Sequence, residues 1–149
     1  MSVNPDVQGR SYPPSPPYLV SREQIREFAA SVQATHPAHT DVAAAQELGH
    51  ADLVAPPTFA VIIAQGAEAA AIQDPEANID FSRVVHADER FTHHRPIVAG
   101  DELTATVTVE SVKSLGGHSM ITTRADIATT AGEPVSAVLS TLLVRGEES

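Results

Sequence analysis

The residues best suited to chemistry lie in one short loop, "SVQATHPAHTD", at residues 31–41. Two histidines, His36 and His39, flank a proline in this loop, and Asp41 follows them. An imidazole titrates close to physiological pH, so His39 is suited to accept or donate a proton in general acid–base catalysis. Such catalysis usually needs a second group placed at the other reacting position. The first question is therefore which residue could act together with His39.

The same loop allows other interpretations. Asp41 could complete an acid–base pair, but it precedes the helical segment "DVAAAQEL", where a capping carboxylate would already bind backbone amides. His36 and His39 could also ligate a metal with Asp41 or with the pair His93 and His94. Because a zinc site needs three or four ligands held by an ordered second shell, and nothing here fixes the others, no metal is predicted. A solvated loop with a hydrogen-bonded, idle His39 remains an alternative.

The loop lies between two predicted helices. In "SREQIREFAASVQ", apolar residues recur from Ile25 to Val32 at the spacing of one helix face, and Ser21 with Gln24 can form a capping box. The second helix, "DVAAAQEL", is expected to end at Gly49. Residues 1–17 hold five of the eleven prolines and are predicted to form an extended arm, followed by a single domain at residues 18–149.

A third helix is predicted in "ADLVAPPTFAVIIAQGAEAAAIQ", where Pro56 and Pro57 can open it. This helix is apolar nearly all round, so we expect it to be buried on most sides. Gly66 is predicted to let a sheet approach closely. Gln65 and Glu68 are the polar residues on this helix, and neither offers a convincing water-activating group.

The second half of the chain has the two-residue period of β-strands. In "DELTATVTVESVKS", Leu103 and the alternate residues after it are apolar, which predicts a half-buried strand. Glycine-containing turns flank "SMITTRADIAT", and "VSAVLSTLLVR" is apolar on both faces, as a central strand would be. With "RVVHADERFTHHRP" ahead of them, these strands predict an antiparallel meander. A buried helix followed by long strands indicates an α+β hot-dog fold, an antiparallel sheet wrapped around a long central helix.

Composition limits the classes of function. The net charge of −10 over 149 residues argues against nucleic-acid binding, which requires cations to displace phosphate counterions. With no cysteine, the chain has neither disulfides nor thiolate chemistry. Its start lacks a signal-like pattern, and no apolar run is long enough to span a membrane, so we expect a soluble cytoplasmic protein.

Four segments together resemble the MaoC-like dehydratase/hydratase family. They are "REQIREFAASV", "ADLVAPPTFAVII", "RVVHADERFTHHRPIVAGDELTATVTVESV" and "GEPVSAVLSTLLVR". The resemblance covers nearly everything from Tyr18 to Arg145. More narrowly, the four segments are similar to the N-terminal MaoC-like group, which includes accessory subunits of heterodimeric (3R)-hydroxyacyl-ACP dehydratases.

The resemblance bears directly on the histidine loop. Catalytic members carry Gly-Asp-x-Asn-Pro-x-His after the first helix, and their aspartate and histidine act on water added to, or lost from, an enoyl thioester. Here the matching residues are Gln33 for glycine, Ala34 for aspartate, His36 for asparagine and His39 for the histidine. The resemblance therefore implies a hydro-lyase loop whose catalytic carboxylate is missing, with His39 as the candidate catalytic residue.

The resemblance also implies a substrate. This would be an acyl thioester of acyl carrier protein (ACP) or of coenzyme A, with no cofactor. Pro57, Thr58 and Phe59 would lie near the thioester and the acyl channel, although core packing is a sufficient explanation for Phe59. His93, His94 and Arg95 are further candidate substrate contacts, with a polar strand face or an interface as the alternative.

The charge bears on partners, because both carriers are anionic and a chain at −10 repels them. Either basic residues between Arg90 and Arg95 attract the carrier locally, or a more basic partner subunit does so, and we favour the partner.

Three functions remain open. The first is a non-catalytic or weakly catalytic acyl-binding subunit whose MaoC-like partner carries the intact Asp and His. The second is an independent homodimeric hydratase or dehydratase, or a hot-dog thioesterase, that uses His39. The third is an acyl-thioester binding module. A dimer is expected in each case, since one hot-dog unit leaves a sheet edge exposed.

Overall fold

The computed structural model describes residues 2–146 of the chain. The helices within this range are α1 (Arg22–Ser31), α2 (Val42–Glu47) and α3 (Ala60–Ile72). The strands are β1 (Tyr18–Leu19), β2 (Val84–His93), β3 (Glu102–Leu115), β4 (His118–Thr129) and β5 (Pro134–Val144). The antiparallel sheet curls around α3, so the α+β hot-dog fold is confirmed. No helix in residues 2–146 combines the length and apolarity needed to span a membrane.

The first two helices start at the predicted caps. Ser21 accepts the backbone N–H of Gln24, and the Gln24 side chain accepts the backbone N–H of Ser21, which completes the capping box. Asp41 caps α2 by accepting the backbone N–H of Ala43 at 2.9 Å. This bond engages Asp41 in the helix start, as anticipated for a capping carboxylate.

The strand order corrects the predicted meander. The order is β1-β3-β4-β5-β2, so β2 pairs with β5 and is not the neighbour of β3. The reason is that the other edge of β3 is already occupied. Tyr18 and Leu19 of β1 pair with its start, and the N–H groups of Gly9, Tyr12 and Ser15 donate to β3 carbonyls farther along. β2 therefore pairs with the other edge of the sheet, that of β5, and forms an outer strand.

The hairpin between β3 and β4 depends on two glycines. Gly116 and Gly117 have φ angles of 57° and 84°, the left-handed conformation that a two-residue turn requires at both central positions. This turn fixes the register in which Leu115 lies opposite His118. The long β3–β4 ladder therefore begins at the predicted turn.

Helix α3 lies across the concave face of the sheet and supplies much of the core. Its buried residues are Ala60, Ile63, Ala64, Ala67, Glu68 and Ala71. The prediction for Gly66 was wrong: it is exposed, and a Cβ built there would meet no atom within 4 Å. The close approach to the sheet is made by the alanines of the opposite face instead. Ile62, 37% exposed, lies on the open side, so α3 is not buried all round.

Residues 2–17 run along the outside of β3 and reach the end of α3. Val3 and Val7 are buried in the core there. Asp74, just after α3, accepts hydrogen bonds from Tyr12 Oη at 2.7 Å and from Arg10 Nη1 at 2.9 Å. These bonds tie the segment to the helix that the sheet surrounds.

Candidate active site

His39 is held on a short 3₁₀ turn, Pro37–His39, between α1 and α2. Its Nδ1 lies 2.6 Å from the carbonyl oxygen of Val54. Because a carbonyl can only accept, Nδ1 carries the proton and Nε2 is the nitrogen left for chemistry. Val54 is itself fixed, since its N–H donates to Ala38 O at 3.0 Å and it forms a β-bridge with Val98. The ring is therefore oriented by the fold.

His36 has a structural contact of its own. Its Nδ1 accepts the backbone N–H of Ala38 at 3.1 Å, so it caps the turn that carries His39. The two rings meet edge to face, with centroids 6.1 Å apart. Within residues 2–146, no group of three or more His, Asp or Glu side chains is placed to hold a metal ion.

Gln33 has the left-handed backbone conformation that glycine adopts most easily. Gln33 has φ of 57°, in the left-handed region that a non-glycine residue enters at a cost of about 1–2 kcal/mol. Ala34 follows it, half-buried, with its N–H donating to Ala29 O at 2.8 Å. A methyl group at this position offers no proton donor or acceptor. The loop therefore holds an oriented imidazole at His39 and no ionisable side chain at position 34.

A cavity of about 590 Å³ opens beside His39. It is lined by His36, His39, the segment 54–57 and the segment 93–97. The two segments are held together because Ala55 N donates to Ile97 O at 2.8 Å. The fold thus brings His39 together with Pro57, His93, His94 and Arg95, which the sequence suggested separately.

His93 ends β2 and is anchored by the neighbouring strand. Its Nδ1 lies 2.8 Å from Ser136 Oγ, and Ser136 is only 2% exposed. Its ring also stacks on Phe91, with the ring planes 16° apart. His94 is fixed through its backbone N–H, which donates to Val135 O at 2.8 Å.

Arg95 borders the cavity but is already neutralised. Asp101 receives two of its N–H groups at 2.9 and 3.0 Å, and Glu133 receives a third at 2.7 Å. The hydrogen bonds that Arg95 donates to Asp101, and then the one to Glu133, raise the pKa of Arg95 above its ordinary value despite partial burial. Arg90 is likewise paired, with Asp88 at 2.9 Å. The basic strip expected between Arg90 and Arg95 therefore carries paired charges.

The remaining residues predicted to contact substrate, Pro57, Thr58 and Phe59, lie just before α3, and only one of them lines the cavity. Pro57 lines the cavity, whereas Thr58 and Phe59 lie outside its wall. Phe59 is fully buried, and its ring meets Phe28 and Tyr18 edge to face at centroid distances of 5.4 and 6.4 Å. These contacts place Phe59 in the core, where its ring supports the first turn of α3.

Sequence reasoning missed a second polar cluster, which is formed by side chains of α3, β2, β4 and β5. Glu68 is 1% exposed and accepts a hydrogen bond from Thr123 Oγ1 at 3.1 Å. Burial, more than any other cause, raises the pKa of Glu68, with nearby Glu89 adding to the effect. Ser140 Oγ donates to Glu89 at 2.8 Å, and His86 lies 3.4 Å from the same carboxylate. A glutamate on an otherwise apolar helix was the available signal.

Known proteins resemble this chain in sequence and in fold. Residues 7–138 match the FAS1-like dehydratase domain region. The chain is 60% identical over 146 residues to the UPF0336 protein Lxx02810 of Leifsonia xyli, covering 98% of each. A solved MaoC-like dehydratase superposes with a TM-score of 0.85 at 36% identity over 93% of this chain, which spans 42% of that one. One chain of the C-terminally truncated HadBC complex, a (3R)-hydroxyacyl-ACP dehydratase from Mycobacterium tuberculosis, gives 0.83 at 36% identity, covering 93% and 97%.

Proposed function

Because the chain belongs to the FAS1-like dehydratase domain family of MaoC-like proteins, we propose that it is one subunit of a (3R)-hydroxyacyl-thioester dehydratase or enoyl hydratase of fatty-acid metabolism. In this role it is the non-catalytic or weakly catalytic acyl-binding subunit. The observation that carries the proposal is the loop at Gln33–His39. It keeps a left-handed backbone at Gln33 and an oriented His39, but has a methyl group at Ala34.

The reaction explains why that loss matters. Dehydration removes a proton from C2 of the acyl thioester and expels the C3 hydroxyl as water, and hydration reverses both steps. Each proton transfer needs a positioned group, and one such group typically contributes about 10²- to 10⁴-fold in rate. His39 can serve one position through Nε2. A partner with the complete loop would provide both groups at its own site.

The proposed partner is therefore a MaoC-like subunit with the intact Asp and His. One chain of the HadBC complex is 36% identical to this chain. Strand β2 has a free outer edge, and apolar side chains are exposed beside it, among them Phe81 at 66% and Val85 at 47%. Covering this edge with a second hot-dog subunit would satisfy the unpaired strand and bury these side chains.

Charge supports the same division of roles. The chain carries a net charge of −10. Arg95, in the wall of the cavity, and Arg90, earlier on β2, are already paired with carboxylates. An acidic carrier protein or the phosphates of coenzyme A would therefore be attracted by a more basic partner. The cavity beside His39, with Pro57 and His93 to Arg95 in its wall, would then contact the acyl thioester rather than the carrier.

The decisive experiment uses the complex. The chain is coexpressed with a candidate MaoC-like subunit that carries the intact loop, and dehydration of a (3R)-hydroxyacyl thioester is measured. Replacing the partner's catalytic aspartate by asparagine should lower the rate by at least about 10²-fold. His39→Ala in this chain should leave most of the dehydration rate intact.

The opposite ranking of the two variants would contradict the proposal, and so would a chain that forms no complex and turns over unaided at the rate of a complete site. His50→Ala, outside the cavity wall, is the matched control for removing a histidine from this chain.

A further inference from the structure

The cavity beside His39 needs a second proton-transfer group if any chemistry is to occur there. Ala34 supplies none. The ionisable side chains in the described wall of the cavity are four histidines and Arg95. Arg95 is held by Asp101 and Glu133 and stays a cation, so it does not exchange protons. A second group in this wall must therefore be a histidine.

Among these histidines, two rings are fixed by groups from other parts of the fold. His39 is held by Val54 O, and His93 by Ser136 Oγ on β5. His36 differs, because its Nδ1 turns back onto its own turn as the cap of Ala38. A ring fixed at Nδ1 by a group from another part of the fold presents Nε2 in a defined direction, which proton transfer requires.

The two anchors permit different tautomers of the two rings. The Val54 carbonyl only accepts, so His39 keeps its proton on Nδ1, and Nε2 of the neutral ring is a base. A serine hydroxyl can donate as well as accept. When Ser136 donates to Nδ1 of neutral His93, the ring proton lies on Nε2. When His93 is an imidazolium, Ser136 accepts instead, and Nε2–H is again available as an acid.

We propose that His93 is a second catalytic residue of this cavity, and that His39 and His93 together hydrate 2-enoyl thioesters slowly without a partner subunit. This inference rests on the proposed function for its substrate class. The water adds its oxygen to C3 and gives one proton to His39 Nε2. The C2 carbon takes a proton from Nε2 of the His93 imidazolium. Proton exchange through solvent then restores both rings, and the net reaction is the addition of one water.

The pH profile provides a signature of this pair. Hydration by this pair needs neutral His39 and protonated His93, so the rate should fall when His39 gains a proton and again when His93 loses its proton. The alkaline limb of the profile therefore reports His93, and the acid limb reports His39.

The test is steady-state hydration of crotonyl-CoA by the purified full chain alone, measured across pH. His39→Ala and His93→Ala are each expected to lose about 10²-fold or more in rate. His50→Ala is the matched control and should keep the wild-type rate. Should His93→Ala fail to fold, His93→Gln preserves a hydrogen-bonding group toward Ser136 while removing the titratable ring.

Two outcomes would overturn the inference. One is a wild-type chain with no hydration activity above the uncatalysed rate. The other is a folded His93→Ala or His93→Gln chain that keeps the wild-type rate and pH profile. Neither outcome would contradict the proposed subunit role, which is tested separately by replacing the partner's aspartate in the complex. An alkaline limb that shifts or disappears in the His93 variants would support the assignment.

Discussion

Restoring the missing carboxylate by Ala34→Asp should convert the loop into a complete acid–base site. The structure favours this outcome for two reasons. Gln33 keeps the left-handed backbone, with φ of 57°, and His39 is already oriented by Val54 O at 2.6 Å. Ala34 is only half-buried, so an added carboxylate can stay partly hydrated, and the cost in stability should be modest, about 0.5 kcal/mol.

The expected gain follows from the single group that is missing. One positioned acid or base contributes about 10²- to 10⁴-fold in rate. At about 1.36 kcal/mol for each factor of ten, this is about 2.7–5.4 kcal/mol of transition-state stabilisation. The gain should appear in kcat, because the carboxylate acts on the reacting atoms. It should also remove the dependence on His93, since the introduced carboxylate would then be the partner of His39.

The assay is hydration of crotonyl-CoA by the isolated chain, with Ala34→Asn as a control of nearly equal shape and no charge. Ala34→Asp combined with His39→Ala should lose the gain. If a folded Ala34→Asp chain kept the wild-type rate, Gln33 or His36 could be what blocks activity. The triple variant Gln33→Gly, Ala34→Asp, His36→Asn tests this. If the triple variant also gave no gain in rate, the inference that the loop retains catalytic geometry would be refuted.

Three further predictions concern stability. Gln33→Gly should stabilise the fold by about 1 kcal/mol and raise Tm by about 2–4 °C, because glycine adopts the left-handed conformation without strain; Gln33→Ala should not. Asp101→Ala should cost about 2–3 kcal/mol in denaturant unfolding, since it leaves Arg95 and the N–H of Val98 without this partner; an unchanged midpoint would contradict this. Burial raises the pKa of Glu68 above the ordinary 4.5, so its contribution to stability is full below that pH and is lost as pH rises through the raised value. Glu68→Gln should therefore flatten the fall in Tm between pH 4.5 and the raised pKa of Glu68, and an identical profile for both chains would contradict the assignment.

Most of the secondary structure could be read from local pattern. The capping box at Ser21, the cap at Asp41 and the glycine turn at Gly116 depend on residues a few positions apart, so their geometry is encoded in short segments. The two-residue period of the strands and the apolar third helix indicated a sheet around a buried helix. The position of β2 was not readable, because it depends on which edge the N-terminal residues occupy.

The sequence by itself determined that the loop has His39 without a carboxylate at position 34, since side-chain chemistry at a matched position needs no coordinates. It also determined the acidic net charge and the hot-dog class of fold. The tertiary structure decided which groups orient and neutralise the site residues. Ser136 anchors His93 from 43 residues away, and Thr123 binds Glu68 from 55 residues away. Such pairings depend on strand order and register, which no local pattern contains.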